Sequence, residues 1–548
     1  MTMTTLPNDA ATASRPNVFL RSAPRGTGDE FNTLFTAEAI EFLVDLVTHF
    51  DRKVDQLYYA RSIRKYELKQ NPKIPKFFKS YVTKSKWKIA PVGKRAEKRH
   101  VDLGDVSPSN LDHFSTALRC KVDGVQVDFD DGHCPTWKNQ IIGLYNVYQA
   151  VRSELPNVPA ISQAPILMLR PRAWNMIEHN MSINGKEVPG PLLDFGLLAF
   201  HNAKILFECE SGPYFYLSKL EGASEAKLWN DIFVWTQFRL RIPHGTIKAC
   251  VLIENILSSF EMEDMLFSLK DHSLGLNCGI WDYAASIINK FGNEKSFVLP
   301  DRNKYVNMNR HFLKRYMELV VQICHKRKAH ATGGMAALLL PEDKNSKKSN
   351  TVVSKVLEGK LAEIKMGVDG FIIYDVGLVP HVNDLWKYHG GPDPNQISYP
   401  GVRTEVSVAD LLKLPTGGIT VDGVRHNISV AILFIFHWFQ GMGHFSYKGA
   451  VEDSATAEIS RSQIWQWIRH GATFEDSGQV LTRELVLRYS SEILDDLIAQ
   501  YGVNFETKLQ LYTARDLFMD IVNHREFPEF ITTYLNDTHV FRRLSANL

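Results

Sequence analysis

The stretch Thr246–Asp282 limits the possible folds more than any other part of the chain. It opens on an apolar, β-branched run, Thr246-Ile247-Lys248-Ala249-Cys250-Val251-Leu252-Ile253, which stops at Glu254. Ser258 and Glu261 then form an S-x-x-E helix start, and Met262, Met265, Leu266 and Leu269 repeat at the spacing of one helical face. A second run, Leu274–Cys278, leads through Gly279 to Ile280-Trp281-Asp282. The pattern is strand, helix, strand, with a carboxylate just past each strand end. In a parallel barrel such ends lie side by side on the mouth where active sites form. Two hard oxygen donors there suit Mg²⁺ and leave positions open for substrate. A single carboxylate after a strand is more often a helix cap or an ion-pair partner; two after successive strands make metal binding an equal reading.

The same alternation runs through the middle of the chain. Strands are predicted at Val125–Asp128, Ile166–Leu169, Tyr214–Leu217, Thr246–Ile253, Leu274–Cys278, Ala329–Thr332 and Phe371–Tyr374, with helices such as Leu193–Leu206 and Arg310–Cys324 between them. This predicts an α/β fold, a (β/α)₈ TIM barrel, over residues 111–400. Seven strands are counted, and the eighth is sought near Val101–Leu103. Before the barrel, residues 1–30 read as a disordered tail and 31–110 as an N-terminal helical clasp with a basic arm. Thr36 caps its first helix, and Ile40, Leu43, Val44 and Val47 form the buried stripe. After it, residues 401–548 read as an all-helical cap domain, with helices at Asp410–Leu414, Val430–Trp438, Ile459–His470, Thr482–Tyr501 and Lys508–Val522. Lys344–Asn350 reads as an exposed loop.

Composition excludes some classes. Charged residues make up 23% and the net charge is +2, so the overall balance calls for no polyanionic partner. Residues 61–100 hold 14 Lys/Arg against Glu67 and Glu97, interleaved with Phe77, Phe78, Tyr81 and Trp87. No nucleic-acid motif accompanies that charge, so it reads as a solvated surface with aromatic anchors rather than a nucleic-acid interface. The six cysteines include no C-x-x-C pair, and Cys250 and Cys278 read as buried free thiols of a reducing compartment. The longest apolar run, Val430–Phe439, is too short for a bilayer. The first 30 residues lack a signal-peptide core, which leaves a transit peptide as the alternative to a tail. The final Ser545-Ala546-Asn547-Leu548 is a weak relative of the Ser-Lys-Leu type. The expected location is cytoplasmic or peroxisomal (glyoxysomal), with mitochondrial as the alternative. No membrane partner is expected, and monomer and homo-oligomer are both left open.

Further polar groups sit at strand ends. Arg170 could grip a carboxylate or a developing oxyanion, or form a rim salt bridge. Asp128, Asp130 and Asp131 could support a metal by hydrogen bonding to the groups that hold it, or serve as caps and partners for Arg170 or Arg172. Gly333–Ala337 reads as a turn that brings backbone close to a ligand, or as a plain tight turn. Glu452-Asp453 precedes a helix containing Ile464, Trp465 and Ile468. Asp453 could be a general base tuned by partial burial, or only a helix cap.

The chain resembles the malate synthase family, in the compact form without the large inserted domain. The likeness runs from Thr36–Leu43 to the C-terminal helices. It is carried by Leu169–Trp174, Ser211–Leu217, Gly245–Ala249, Leu252-Ile253-Glu254, Gly275–Gly279, Trp281-Asp282-Tyr283, Gly333–Ala337 and Glu452–Arg461 running on to Ile468. The resemblance implies a Mg²⁺-dependent transferase of the glyoxylate cycle. It would condense acetyl-CoA with glyoxylate and hydrolyse the thioester to malate and CoA. It implies that Glu254 and Asp282 are the Mg²⁺ ligands, Arg170 the catalytic arginine and Asp453 the base. The loop Gly279, Ile280, Trp281, Asp282 would hold glyoxylate through backbone N–H groups. Departures from the family pattern are Ala173 for Gly, Ile280 for Arg, Asp130 for Glu, and Asp375-Val376 for His-Pro, the last bearing on acetyl-CoA affinity. The rival readings are a Mg²⁺-dependent lyase that cleaves a malyl-CoA-like thioester, and a non-catalytic scaffold.

Overall fold

Eight parallel strands close into one barrel in the computed structural model, which describes residues 16–542 apart from 73, 78–79, 345, 400–403 and 539–540. They are β1 (Val101–Val106), β2 (Gly124–Asp128), β3 (Ile166–Arg170), β4 (Tyr214–Leu217), β5 (Lys248–Ile253), β6 (Ser273–Cys278), β7 (His330–Ala336) and β8 (Gly370–Ile373). Each pairs with its neighbour in chain order, and β8 returns to β1 through Phe371↔Val101, Ile372↔Asp102 and Ile373↔Leu103. The strands are buried on both faces. Ile166, Met168, Tyr214, Tyr216, Cys250 and Ile372 fill the interior, while the outward residues join the core under the helices.

The seven predicted strands are all present. The eighth is β1, which lies inside the segment assigned to the clasp, so the barrel begins at Val101 and not at 111. Its sequence, Val101-Asp102-Leu103-Gly104-Asp105-Val106, has no apolar run because Asp102, Gly104 and Asp105 interrupt it. Asp102 pairs with buried Arg99, which also donates to Tyr216 Oη at 2.9 Å. Asp105 takes φ 52° where the pairing register shifts.

The clasp is dominated by α1 (Ala37–Gln70). Thr36 Oγ1 accepts from Ala39 N at 3.2 Å, and Phe42, Leu43, Leu46, Val47 and Phe50 are buried, with Ile40 and Val44 half-buried. Order begins before residue 30. Val18–Leu20 adds a strand to a hairpin formed by Ile177–Ile183 and Lys186–Pro189, and Gly28–Leu34 is helical. Residues 1–15 of the predicted tail lie outside the described residues. Part of the basic arm is tied to the body: Arg61 pairs with Glu225, Arg64 with Glu221, Lys69 with Glu526 and Arg99 with Asp102. Trp87 stacks against Arg327; Phe78 lies outside the described residues.

Two local expectations are corrected. Ser258 does not cap the helix after β5. Its Oγ donates to Asn255 O, and Glu261 instead accepts from Ala223 N at the start of the neighbouring helix Ala223–Leu240. The exposed loop 344–350 gives way to a helix, Lys347–Met366, because Ser346 accepts from Ser349 N.

Helix α2 (Trp281–Phe291) follows β6. The cap has its own core, built by Val421–Phe439, α3 (Ser454–His470), Arg483–Tyr501 and Phe505–Asn523 around residues such as Phe436, Trp467, Leu494 and Phe518. It is not all-helical. Phe445–Tyr447 and Ala450–Glu452 form a hairpin whose turn residues, Lys448 and Gly449, both have positive φ (48° and 84°). The predicted helix at Asp410–Leu414 is a single turn, Val408–Leu411. Among the described residues no helix is long and apolar enough to cross a membrane.

Buried and half-buried histidines make the fold acid-sensitive. His133 lies between Ser107 Oγ and Gln140 Oε1, 2.9 Å from each, and burial, aided by the Arg172 charge, holds it down to about 3. Burial, aided by a neighbouring histidine in each case, holds His113, His272 and His437 at about 4. The unfolded chain protonates these rings near 6.5 and the folded chain does not. Their stability contribution is therefore complete above that pH and is lost as pH falls towards 4. His133 alone costs about 1.4 kcal/mol per pH unit in that window. Melting midpoints should fall clearly from pH 7 to pH 5; an unchanged midpoint would contradict this account.

Candidate active site

Five consecutive strands deliver charge to the same mouth of the barrel. Asp128 closes β2 and shapes the loop beyond it, accepting from Asp130 N at 2.7 Å and Gly132 N at 2.8 Å. That turn presents Asp130 and Asp131. Arg170 closes β3, Lys219 follows β4, Glu254 follows β5, and Asp282 lies in the first turn of α2 after β6. Carboxylate oxygens of Asp131, Glu254 and Asp282 all lie within 4.8 Å of one another. The Arg170 guanidinium bonds Asp131 and lies 3.3 Å from Asp130 and 3.5 Å from Asp128. Lys219 Nζ is 2.6 Å from both Asp130 and Asp131 and 3.7 Å from Asp282, and its backbone N–H donates to Glu254 Oε1 at 2.7 Å.

The cap completes this ring. Ser454 Oγ donates to the Asp131 carboxylate, and its backbone N lies 3.5 Å from Asp131 O. This docks the N-terminus of α3 on the barrel mouth, with Asp453 as its N-cap. Asp453 Oδ1 accepts from Thr456 N at 2.9 Å, and Thr456 Oγ1 accepts in return from Asp453 N. Asp453 is thus a helix cap and a member of the charged cluster at once. Helix α3 is buried on every side despite its polar sequence, since Gln463, Gln466 and Trp467 donate to the carbonyls of Pro300, Phe297 and Leu299. A helix held this way keeps its capping carboxylate at one place.

Charge in the ring is unbalanced. Six buried carboxylates (Asp105, Asp128, Asp131, Glu254, Asp282, Asp453) and the half-buried Asp130 face two cations, Arg170 and Lys219. Burial raises Glu254 and raises Asp282 far above the carboxylate range, the latter helped by Asp131 and Glu254. Burial also raises Asp453, with the Asp131 charge adding to it. Burial and then Asp453 raise Asp105 strongly, and burial brings Asp128 to about 6. Asp131 is the exception: against its burial, Arg170 and Lys219 hold it well below the usual range. Three buried oxygen donors converging with surplus negative charge fit a hard divalent cation. Asp131, which the sequence suggested only for a supporting contact, stands with Glu254 and Asp282 in that set.

Two comparisons bear on this arrangement. The model of the malate synthase TIM barrel domain matches residues 166–414, and that of the malate synthase C-terminal domain matches 418–538. A malate synthase of Myxococcus xanthus is 36% identical over 92% of this chain and 93% of its own. The chain belongs to the malate synthase family. A malate synthase of Dictyostelium discoideum is 37% identical over 93% of this chain and 95% of its own, and a glyoxysomal malate synthase of Candida tropicalis 34% identical over 93% and 94%. The activity is that of the malate synthases, a transferase activity.

Other sequence-marked positions of this malate synthase fold fall around the ring. Gly279 N–H donates to Tyr316 Oη at 3.2 Å, so Ile280, Trp281 and Asp282 are left to offer first-turn amides of α2. A front cleft of about 500 Å³ opens beside them, lined by Trp281, Arg302, Met335, Tyr447, Lys448 and Glu452 among others. Gly333 makes room for a side chain, not a ligand: a Cβ there would meet Glu363 Oε2 at 2.0 Å. Asp375 accepts from Gly377 N and Leu340 N, each at 2.7 Å, tying the loop after β8 to the one after β7.

Lys219 and Asp105 were missed in the sequence. Lys219 was within reach of the rule that found Glu254, a charged residue just past a predicted strand. Asp105 sits in the strand that showed no apolar run.

Proposed function

We propose that this chain condenses acetyl-CoA with glyoxylate and hydrolyses the product thioester to malate and CoA. In this reading Asp453 is the base, Arg170 is the oxyanion partner, and Glu254, Asp282 and Asp131 hold Mg²⁺. The observation that carries it is the docking of α3 on Asp131 through Ser454, which brings a buried carboxylate of the cap onto the barrel's carboxylate ring. Bound by that ring, Mg²⁺ would polarise the aldehyde oxygen of glyoxylate.

The chain's own groups account for the rest. First-turn amides of Ile280, Trp281 and Asp282 hold the glyoxylate carboxylate at the positive end of α2. The Asp453 carboxylate takes a proton from the acetyl methyl carbon; its raised proton affinity suits it to a weak carbon acid. Arg170 stabilises the enolate oxygen. Its Nε is buried with no partner, whereas its Nη groups are engaged by aspartates, so one N–H is left for substrate. The enolate carbon then attacks the aldehyde. The front cleft takes the thioester, with Lys448 and Arg302 as its cations.

Purified protein should release CoA thiol only when acetyl-CoA, glyoxylate and Mg²⁺ are all present, and EDTA should stop the release. Thiol release with glyoxylate omitted would make the protein a simple thioesterase and end this reading. A peroxisomal location is supported only by the glyoxysomal relative and the C-terminal tetrapeptide, which lies outside the described residues.

A further inference from the structure

A small cavity of about 20 Å³ lies behind the carboxylate ring, lined by Glu254, Asn255, Asp282, Ser286, Asn289 and Glu458 among others. That volume has room for about one water molecule. Asp282, Ser286 and Asn289 face it from one side of α2, at i, i+4 and i+7. The front cleft is lined by Ile280 and Trp281 instead, so the start of α2 separates two spaces. Glu529 and Phe530 form the cavity's outer wall. The same two residues line an open groove of about 760 Å³ between α1 and the C-terminal segment. That wall is pinned at three points. Asn289 Nδ2 donates to Glu529 O at 2.6 Å, Lys290 Nζ to Glu529 Oε1 at 2.6 Å, and Ile531 N to Glu458 Oε2 at 2.8 Å.

We propose that this cavity is the water site of the hydrolytic half-reaction, refilled from the far groove past Glu529 and Phe530. The inference rests on the condensation and hydrolysis reading above. Each turnover of that reaction consumes one water. Its oxygen bonds to the thioester carbonyl carbon and the C–S bond breaks. One water proton goes to the departing sulfur, and the other leaves from the new carboxylic acid to solvent. A thioester seated in the front cleft covers that opening, so the water has to come from behind. A store for a single molecule also meets a second need. The enolate must be kept from bulk water until it has attacked the aldehyde, whereas the thioester must then meet water.

Malyl-CoA given to the full-length protein with Mg²⁺ partitions between hydrolysis to malate and reverse cleavage to glyoxylate and acetyl-CoA. Ala285→Val fills the cavity, which Ala285 also lines, and Phe530→Trp thickens its outer wall. Both variants should lower the malate-to-glyoxylate ratio about tenfold, leaving the rate of reverse cleavage near that of the unaltered protein. An unchanged ratio in a folded Ala285→Val protein overturns the water site. If that variant does not fold, the half-buried Phe530→Trp decides alone by the same ratio. Neither product from the unaltered protein would overturn the condensation reading and the water site together, which separates the two failures.

Discussion

Asp453→Asn is expected to lower kcat by about 10²–10⁴-fold while glyoxylate binding persists. The substitution isolates chemistry from folding. Asparagine caps helices as well as aspartate does, and its side-chain oxygen can still accept from Thr456 N, so α3 stays docked and stability should barely change. What disappears is the ability to take a proton from the acetyl methyl. The pH dependence gives an independent check. Burial and the neighbouring Asp131 raise Asp453, and only its ionised form is a base. The acid limb of kcat/KM should therefore fall away at a pH above the ordinary aspartate range, and the variant should lose that limb. Wild-type turnover in Asp453→Asn would remove the base assignment.

Arg170→Gln should damage both fold and function. The guanidinium lies against Asp128, Asp130 and Asp131, and without it Lys219 is the single cation left among the seven carboxylates of the ring, six of them buried. Breaking such a buried set by removing one partner costs about 3–5 kcal/mol. Asp131, now held low by Arg170 and Lys219, would rise and lose donor strength for a metal. Loss of the oxyanion partner adds about 10²–10³-fold in kcat. Arg170→Lys separates the two effects. It returns a charge near the aspartates but not the planar fork with its unpaired Nε, so denaturant stability should largely recover while turnover does not. Turnover near wild type in Arg170→Lys would exclude the proposed enolate contact.

How much could be read in advance followed from how local the signal was. Strands β2 to β8 showed as apolar or β-branched runs because both of their faces are buried. Strand β1 did not, because Asp102 and Asp105 interrupt it: Asp102 is paired with Arg99 just before the strand, and Asp105 sits at a backbone kink. Glu254 and Asp282 stood out because the strand that positions each lies immediately before it. Lys219 obeys the same rule and was passed over. The capping box at Ser258 and Glu261 misled because Glu261 was recruited by a neighbouring helix 38 residues away, at Ala223.

The order of residues therefore determined the barrel, the strand ends that carry charge and the helical character of the cap, since each depends on side-chain periodicity over a few residues. Only the tertiary structure decided which of those charges meet. Ser454 reaches Asp131 across 323 residues of chain. Asp131 rather than Asp128 joins Glu254 and Asp282: the Asp128 carboxylate holds the amides of Asp130 and Gly132 and so shapes the loop that presents Asp131. Barrel closure brings distant strand ends together, and burial then gives the assembled charges proton affinities that no single stretch of sequence contains.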